Sequence, residues 1–207
     1  MKYLKMFGLA AVAAVALMAI AGAGSASATV LCHKAESPCS QKWSFGTETE
    51  FVVRPETTAR WFSGINTLME CSSGDLKGSV TNAGGSSQTV VIGINTFSWS
   101  SCNVGNTTLA PGELEIHSIS GSTNGTATLK GFTTKIESIQ YGTCVYTSGT
   151  TGAHLGTLVA SKTGQAIIQI EVVLTRKEGA LCPLTIEWWE EWTQTKPSET
   201  PLFVEPV

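Results

Sequence analysis

The run Ile167-Ile168-Gln169-Ile170-Glu171-Val172-Val173-Leu174 alternates apolar and polar side chains along most of its length. Successive side chains of a β-strand point to opposite faces of its sheet. A strand here would turn one face of aliphatic side chains inward: Ile168, Ile170, Val172 and Leu174. Gln169 and Glu171 would face solvent. One dry and one wet face is typical of an antiparallel sheet.

The same pattern recurs through the chain after Ala28. Val90, Ile92 and Ile94 alternate with smaller or polar residues, and Leu114 and Ile116 alternate with charged ones. Clusters of turn-forming residues, such as Ser73-Gly74-Asp75, separate these runs at the short, regular spacing typical of sandwiches and barrels. The sequence therefore predicts an all-β fold: an antiparallel β-sandwich, with a small β-barrel as the alternative.

The N-terminus has the three parts of a secretory signal peptide. Lys2 and Lys5 precede an uncharged stretch rich in Ala, Val, Leu and Met, which ends in Ser25-Ala26-Ser27-Ala28. An uncleaved membrane anchor is disfavoured by the Gly/Ala-rich end of this stretch. A lipid anchor on Cys32 is disfavoured because Leu31, which is not small, precedes it. We predict a cleaved signal peptide over 1–28 and a single all-β domain over 29–207.

All six cysteines lie after the predicted cleavage site. An even number of cysteines in an exported chain favours disulfides. No C-x-x-C pair supports a zinc or redox site. We favour nearest-neighbour pairing, with the alternative that some cysteines are buried and free: Cys32–Cys39, Cys71–Cys102 and Cys144–Cys182. The second and third bridges would each close a loop of three or more strands.

The chain carries 13 Lys and Arg against 16 Asp and Glu, for a formal net charge of -3. Loss of Lys2 and Lys5 with the signal peptide makes the remainder more acidic. No basic run is present, so nucleic acid is not an expected partner. We expect no cofactor, no metal and no membrane insertion after signal cleavage.

The segment Ile186-Glu187-Trp188-Trp189-Glu190-Glu191-Trp192 is unusual in holding three tryptophans among three glutamates. As a strand it would place Trp188, Glu190 and Trp192 on one face, and Trp189 on the other between Glu187 and Glu191. An exposed Trp189 could stack on a sugar or anchor a partner. The alternatives are that Trp189 packs under a loop or across a strand pair, or that the segment is a short helix.

Glu113, Glu115 and His117 would share one face of a strand, with roughly 7 Å between successive side chains. Such a row could hold a metal or frame an acid/base pair, but a solvated strand face is the simpler interpretation. The chain has 3 His and no G-x-S-x-G motif, which disfavours nucleophilic hydrolysis. We assign no catalytic residues.

Several segments, most of them containing a cysteine, resemble those of a group of exported, disulfide-containing all-β proteins of soil actinobacteria for which no activity is known. These segments are Thr29-Val30-Leu31-Cys32, Pro38-Cys39, Phe97-Ser98-Trp99-Ser100-Ser101-Cys102, Leu181-Cys182-Pro183 and the closing Pro201-Leu202-Phe203-Val204-Glu205-Pro206. The resemblance implies export and paired cysteines, and it implies no activity.

The function expected from these features is a secreted, non-catalytic domain that binds a protein or glycan outside the cell or at its surface. One alternative is a structural or assembly subunit of the cell envelope, in which a strand such as the C-terminal one pairs with a neighbouring molecule. A glycan-active hydrolase that uses glutamates, either Glu113 and Glu115 or the Glu187–Glu191 cluster, is less favoured.

Overall fold

The structure is a computed structural model that describes residues 28–86, 88–162, 165–198 and 200–207. The predicted signal peptide lies outside the described residues, apart from Ala28. The described residues form fourteen strands and no helix: β1 (Thr29–Cys32), β2 (Glu48–Val53), β3 (Ala59–Ser63), β4 (Asn66–Gly85), β5 (Gln88–Cys102), β6 (Gly105–Ala110), β7 (Glu113–Ser118), β8 (Gly125–Lys130), β9 (Thr133–Ser138), β10 (Gly142–Thr147), β11 (Ala153–Val159), β12 (Ile167–Glu178), β13 (Thr185–Lys196) and β14 (Phe203–Pro206).

Eight of these strands close into an antiparallel barrel. The hydrogen-bonded order is β4-β5-β7-β8-β11-β12-β13, and β2 pairs with both β13 and β4 to complete the ring. Closure removes the exposed edges that an open sheet would leave. The all-β prediction is confirmed, in the form of the barrel that was its alternative.

Two short strands share the gap between β13 and β4. β3 lies against Glu187–Trp189 of β13, and β2 lies further along the same strand, against Trp192–Lys196. On the other side, β3 and β2 follow one another along β4 in the same way. Because β4 runs for 20 residues, it spans both partners.

The remaining strands extend the barrel wall. The last residues of β12 pair with β10, which continues the sheet outward through β9 to β6. The first and last described strands, β1 and β14, pair with each other and form a two-stranded ribbon. The predicted strand at the C-terminus therefore finds its partner within the same chain.

Aromatic rings fill the interior of the barrel. They come from β3, β5, β13 and the connection after β8, and they contact one another: Trp61, Phe97, Trp99, Phe132, Trp188 and Trp192. Trp61 stacks on Trp188 with ring centroids 5.4 Å apart, and meets Trp99 edge-on at 4.8 Å. Both are favoured geometries, worth about 0.5–1.5 kcal/mol per pair beyond the buried area.

The turn predicted at Ser73-Gly74-Asp75 is wrong, because these residues lie within β4. Gly74 faces the barrel interior, and a Cβ there would meet the Ser98 carbonyl oxygen at 2.7 Å and the Trp192 ring at 3.0 Å. The glycine thus makes room for a neighbouring strand and an indole ring. Glycine within a strand often marks such a close approach.

The three disulfides join the pairs favoured from the sequence, Cys32–Cys39, Cys71–Cys102 and Cys144–Cys182. Cys71 and Cys102 are opposite one another on β4 and β5. Their bridge therefore closes a single long hairpin. The prediction that this bridge closes a loop of three or more strands is wrong. Only the Cys144–Cys182 loop spans three strands, β10 to β12. Each of these two longer loops contributes about 3–4 kcal/mol on the chain-entropy model.

We expect Gly74→Ala to lower the free energy of unfolding by about 1–3 kcal/mol, because the added methyl must displace backbone and an indole ring. Ser72→Ala, at an exposed position two residues earlier on the same strand, is the matched control and should change stability by less than about 0.5 kcal/mol. Urea unfolding of the oxidised protein measures both. Equal midpoints for the two variants would show that the interior is not packed against Gly74.

Candidate functional site

Trp189 lies on the outer face of β13, where the strand alternation sends it. Its neighbours Trp188 and Glu190 are buried in the barrel, whereas Trp189 remains 46% exposed. The predicted strand and its division into two faces are therefore confirmed. The other five tryptophans of the chain are buried: Trp43, Trp61, Trp99, Trp188 and Trp192.

Polar side chains surround Trp189 on the neighbouring strands. Glu171 of β12 is directly opposite it in the ladder, and Gln169 is opposite Glu191. Opposed side chains in an antiparallel pair have Cβ atoms about 4.5–5.5 Å apart. On the other side, Trp189 is in register with Arg60 of β3. The indole thus has acidic neighbours along β13 and across β12, and a basic neighbour on β3.

A groove of about 480 Å³ runs across β11, β12 and β13 beside this indole. Its polar lining comes from all three strands: His154, Thr157, Gln169, Glu171 and Glu191. β11 has a register irregularity between His154 and Gly156. A Cβ on Gly156 would lie 1.8 Å from the Gln169 carbonyl oxygen, so the glycine allows β11 to approach β12 closely at the floor of the groove.

The charges around the groove are only partly neutralised. Arg54 donates from Nη1 to Glu191 at 3.1 Å and from Nε to Glu56 at 2.9 Å. These two hydrogen bonds raise the pKa of Arg54, and the bond to Glu56 has the larger effect. Gln169 also donates to Glu191, at 3.1 Å.

The second arginine, Arg60, is paired with Glu70 on β4 at 3.2 Å. Among the residues that the structure describes, Glu171 and Glu187 form no salt bridge. Two carboxylates beside the exposed indole are therefore without a cationic partner.

Glu190 occupies a different environment from the two glutamates on either side. Its carboxyl is fully buried, and Oε2 accepts hydrogen bonds from Trp188 Nε1 at 2.8 Å and Trp99 Nε1 at 3.1 Å. Oε1 has no hydrogen-bond partner among the residues that the structure describes. Burial raises the pKa of Glu190 to about 8, although the indole N–H groups oppose the shift.

The raised pKa does not make Glu190 an acid for catalysis in the groove. Its side chain points into the barrel, while Glu187 and Glu191 point out of it. Carboxyl groups on opposite faces of one sheet cannot converge on a bond. The Glu190 carboxyl is therefore a buried polar group of the barrel core.

The row Glu113, Glu115 and His117 lies on the outer face of β7, as predicted. Lys130 of β8 bonds to Glu115 Oε1, and His117 Nε2 lies 3.8 Å from Glu115 Oε2. Glu115 is thus placed between two basic groups on the surface. This arrangement fits the interpretation of the row as a solvated strand face.

Within the described ranges, no group of three or more His, Cys, Asp or Glu side chains is placed to hold a metal ion. In the same part of the chain, no helix has the length and hydropathy needed to cross a membrane. No protein-family model, curated protein or solved structure matches this chain. Its function must therefore be argued from its own geometry.

Sequence reasoning placed Trp189, Glu187 and Glu191 together because they lie on one strand. It did not join them to Glu171, Gln169 or His154, which reach the groove through the pairing of β13 with β12 and of β12 with β11. Nor did it identify the buried role of Glu190. A glutamate in phase with two inward tryptophans was the signal for that role.

We expect stability to fall as the pH rises from about 4.5 to about 8, because the unfolded chain releases the Glu190 proton in this range while the folded state retains it. Each unit of pKa shift is worth about 1.4 kcal/mol, so the fall amounts to several kcal/mol. Glu190→Gln keeps an acceptor for the indoles and cannot ionise.

The measurement is the difference in unfolding free energy between Glu190→Gln and the parent protein across this range. Other groups with shifted pKa values, such as Glu50 and Glu205, are present in both proteins and cancel. The unfolding free energy of the variant should increase relative to that of the parent as the pH rises. A difference independent of pH would show that Glu190 is ionised in the folded state.

Proposed function

We propose that this chain is an exported, non-catalytic binding domain, and that its ligand contacts the groove beside Trp189. The observation that carries the proposal is the exposure of Trp189. A large apolar ring left in water contributes nothing to the core, yet tryptophan is the residue type most enriched where binding energy concentrates. We favour a glycan as ligand.

The lining of the groove supports a sugar ligand. Hydroxyl-rich rings have an apolar face that packs on an indole and polar groups around their edge. The groove offers an indole beside the carboxylates of Glu171 and Glu191, the amide of Gln169 and the hydroxyl of Thr157. Because the groove crosses three strands, polar groups from all three can contact one bound sugar chain.

Export is supported by the signal-peptide pattern over 1–28 and by the disulfides. Three disulfides are compatible with an extracellular protein, since such bonds persist in oxidising compartments. We place the mature protein outside the cell, where non-covalent association with the cell surface is compatible with a glycan ligand.

Binding is favoured over the two alternatives. Assembly through the C-terminal strand has less support, because β14 pairs with β1, and Val204 of β14 donates to the Thr123 carbonyl of the same chain. A glutamate-dependent hydrolase would need two converging carboxyl groups, one with a raised pKa. Glu190, whose pKa is raised to about 8, is one of the residues along the groove, but its buried carboxyl faces the barrel interior with Trp188 and Trp192.

We expect Trp189→Ala to weaken binding by tenfold or more, equivalent to about 1.4 kcal/mol, in a glycan-array screen followed by titration of the hits with the oxidised domain. Leu109→Ala, which removes an exposed apolar side chain from β6, should leave binding unchanged. Thermal unfolding should show both variants folded. Hits that bind Trp189→Ala as tightly as the parent would place the ligand elsewhere.

A further inference from the structure

The groove beside Trp189 is charged as well as aromatic. The negative charges of the nearby glutamates are not fully neutralised. We infer that the ligand is a cationic glycan, one whose sugar rings carry primary ammonium groups. This inference rests on the proposed function and adds the chemical class of the ligand.

Two carboxylates beside Trp189 form no salt bridge with any residue that the structure describes. Glu171 is opposite Trp189 in the ladder, and Glu187 is two residues away on the same face of β13. Successive side chains on one face of a strand are roughly 7 Å apart. Both carboxylates are therefore within reach of a sugar ring packed on the indole.

The nearby basic groups do not satisfy these carboxylates. Arg54 is shared between Glu56 and Glu191, and Arg60 is paired with Glu70. His154, at the far side of the groove on β11, is the remaining basic side chain in the lining. The surface around Trp189 thus presents two free carboxylates, a third already held by arginine, and the aromatic ring.

An ammonium group satisfies all of these features together. It can donate to the carboxylates in charge-assisted hydrogen bonds, and it is attracted to an indole face within about 6 Å of the ring centroid. A neutral sugar would leave Glu171 and Glu187 without a counter-charge, and an anionic sugar would be repelled by them. A lysine-rich peptide offers the same charge, but it lacks the rings and hydroxyls that fit the indole, Gln169 and Thr157.

The test compares two oligosaccharides of equal length and linkage, one with free amines and one with the same amines acetylated. A lysine oligomer serves as the third probe. Affinities for the oxidised domain are measured by calorimetry at low and high salt. We expect the free-amine sugar to bind at least about fivefold more tightly than its acetylated form, and high salt to reduce this preference through screening.

The variant Glu171→Gln/Glu187→Gln should lose the preference while still binding the acetylated sugar. Its matched control is Glu48→Gln/Glu178→Gln, which removes the same charge at two exposed positions outside the groove. The control should keep the preference. Loss of the preference in both double variants would assign it to net charge and overturn the inference.

The remaining outcomes separate the inference from the proposed function. Equal affinity for the two sugars, with loss of both in Trp189→Ala, would leave the proposed function standing and overturn the inference. Tighter binding of the lysine oligomer than of either sugar would overturn the inference in favour of a basic protein ligand. No binding of any probe that depends on Trp189 would overturn both.

Discussion

The buried carboxyl of Glu190, which accepts hydrogen bonds from the indole N–H groups of Trp99 and Trp188, is the contact on which the rest of the structure depends. It links β5 to β13, two strands that are not neighbours in the sheet. Burying a carboxyl is costly unless it is protonated or well hydrogen-bonded. The indole hydrogen bonds and the raised pKa of Glu190 offset this cost. The aromatic rings of the core pack around the carboxyl group.

The same contact determines what lies on the surface. Side chains alternate along β13. Because Trp188, Glu190 and Trp192 face inward, Trp189 must face outward. A shift of one residue would exchange the two faces and bury Glu187 and Glu191 in their place. The exposed indole of the proposed binding site is therefore a consequence of the packing of the core. Of the acidic groups around it, Glu187 and Glu191 share its strand, and Glu171 is brought beside it from β12 by the same register.

Sequence reasoning could predict whatever depends on neighbours along the chain. The inward face of β12, the two faces of β13 and the nearest-neighbour cysteine pairs all follow from local pattern. Three features could not be predicted, because distant strands produce them. Gly74 is a residue type common in turns, but here it lies within a strand and leaves room for the Trp192 ring. Glu190 receives its second donor from 91 residues away. The barrel closes where β2 pairs with both β13 and β4, and no pattern within β2 indicates these two partners.

Trp189 alone of the six tryptophans faces solvent, while Trp188 and Trp192 on the same strand are held inside with Glu190. Collisional quenching of tryptophan fluorescence by acrylamide tests it directly, since acrylamide is neutral and does not respond to the acidic groove. We expect the quenchable fraction of the native emission to disappear in Trp189→Phe and to remain in Trp43→Phe. A quenchable fraction that persists in Trp189→Phe would contradict it.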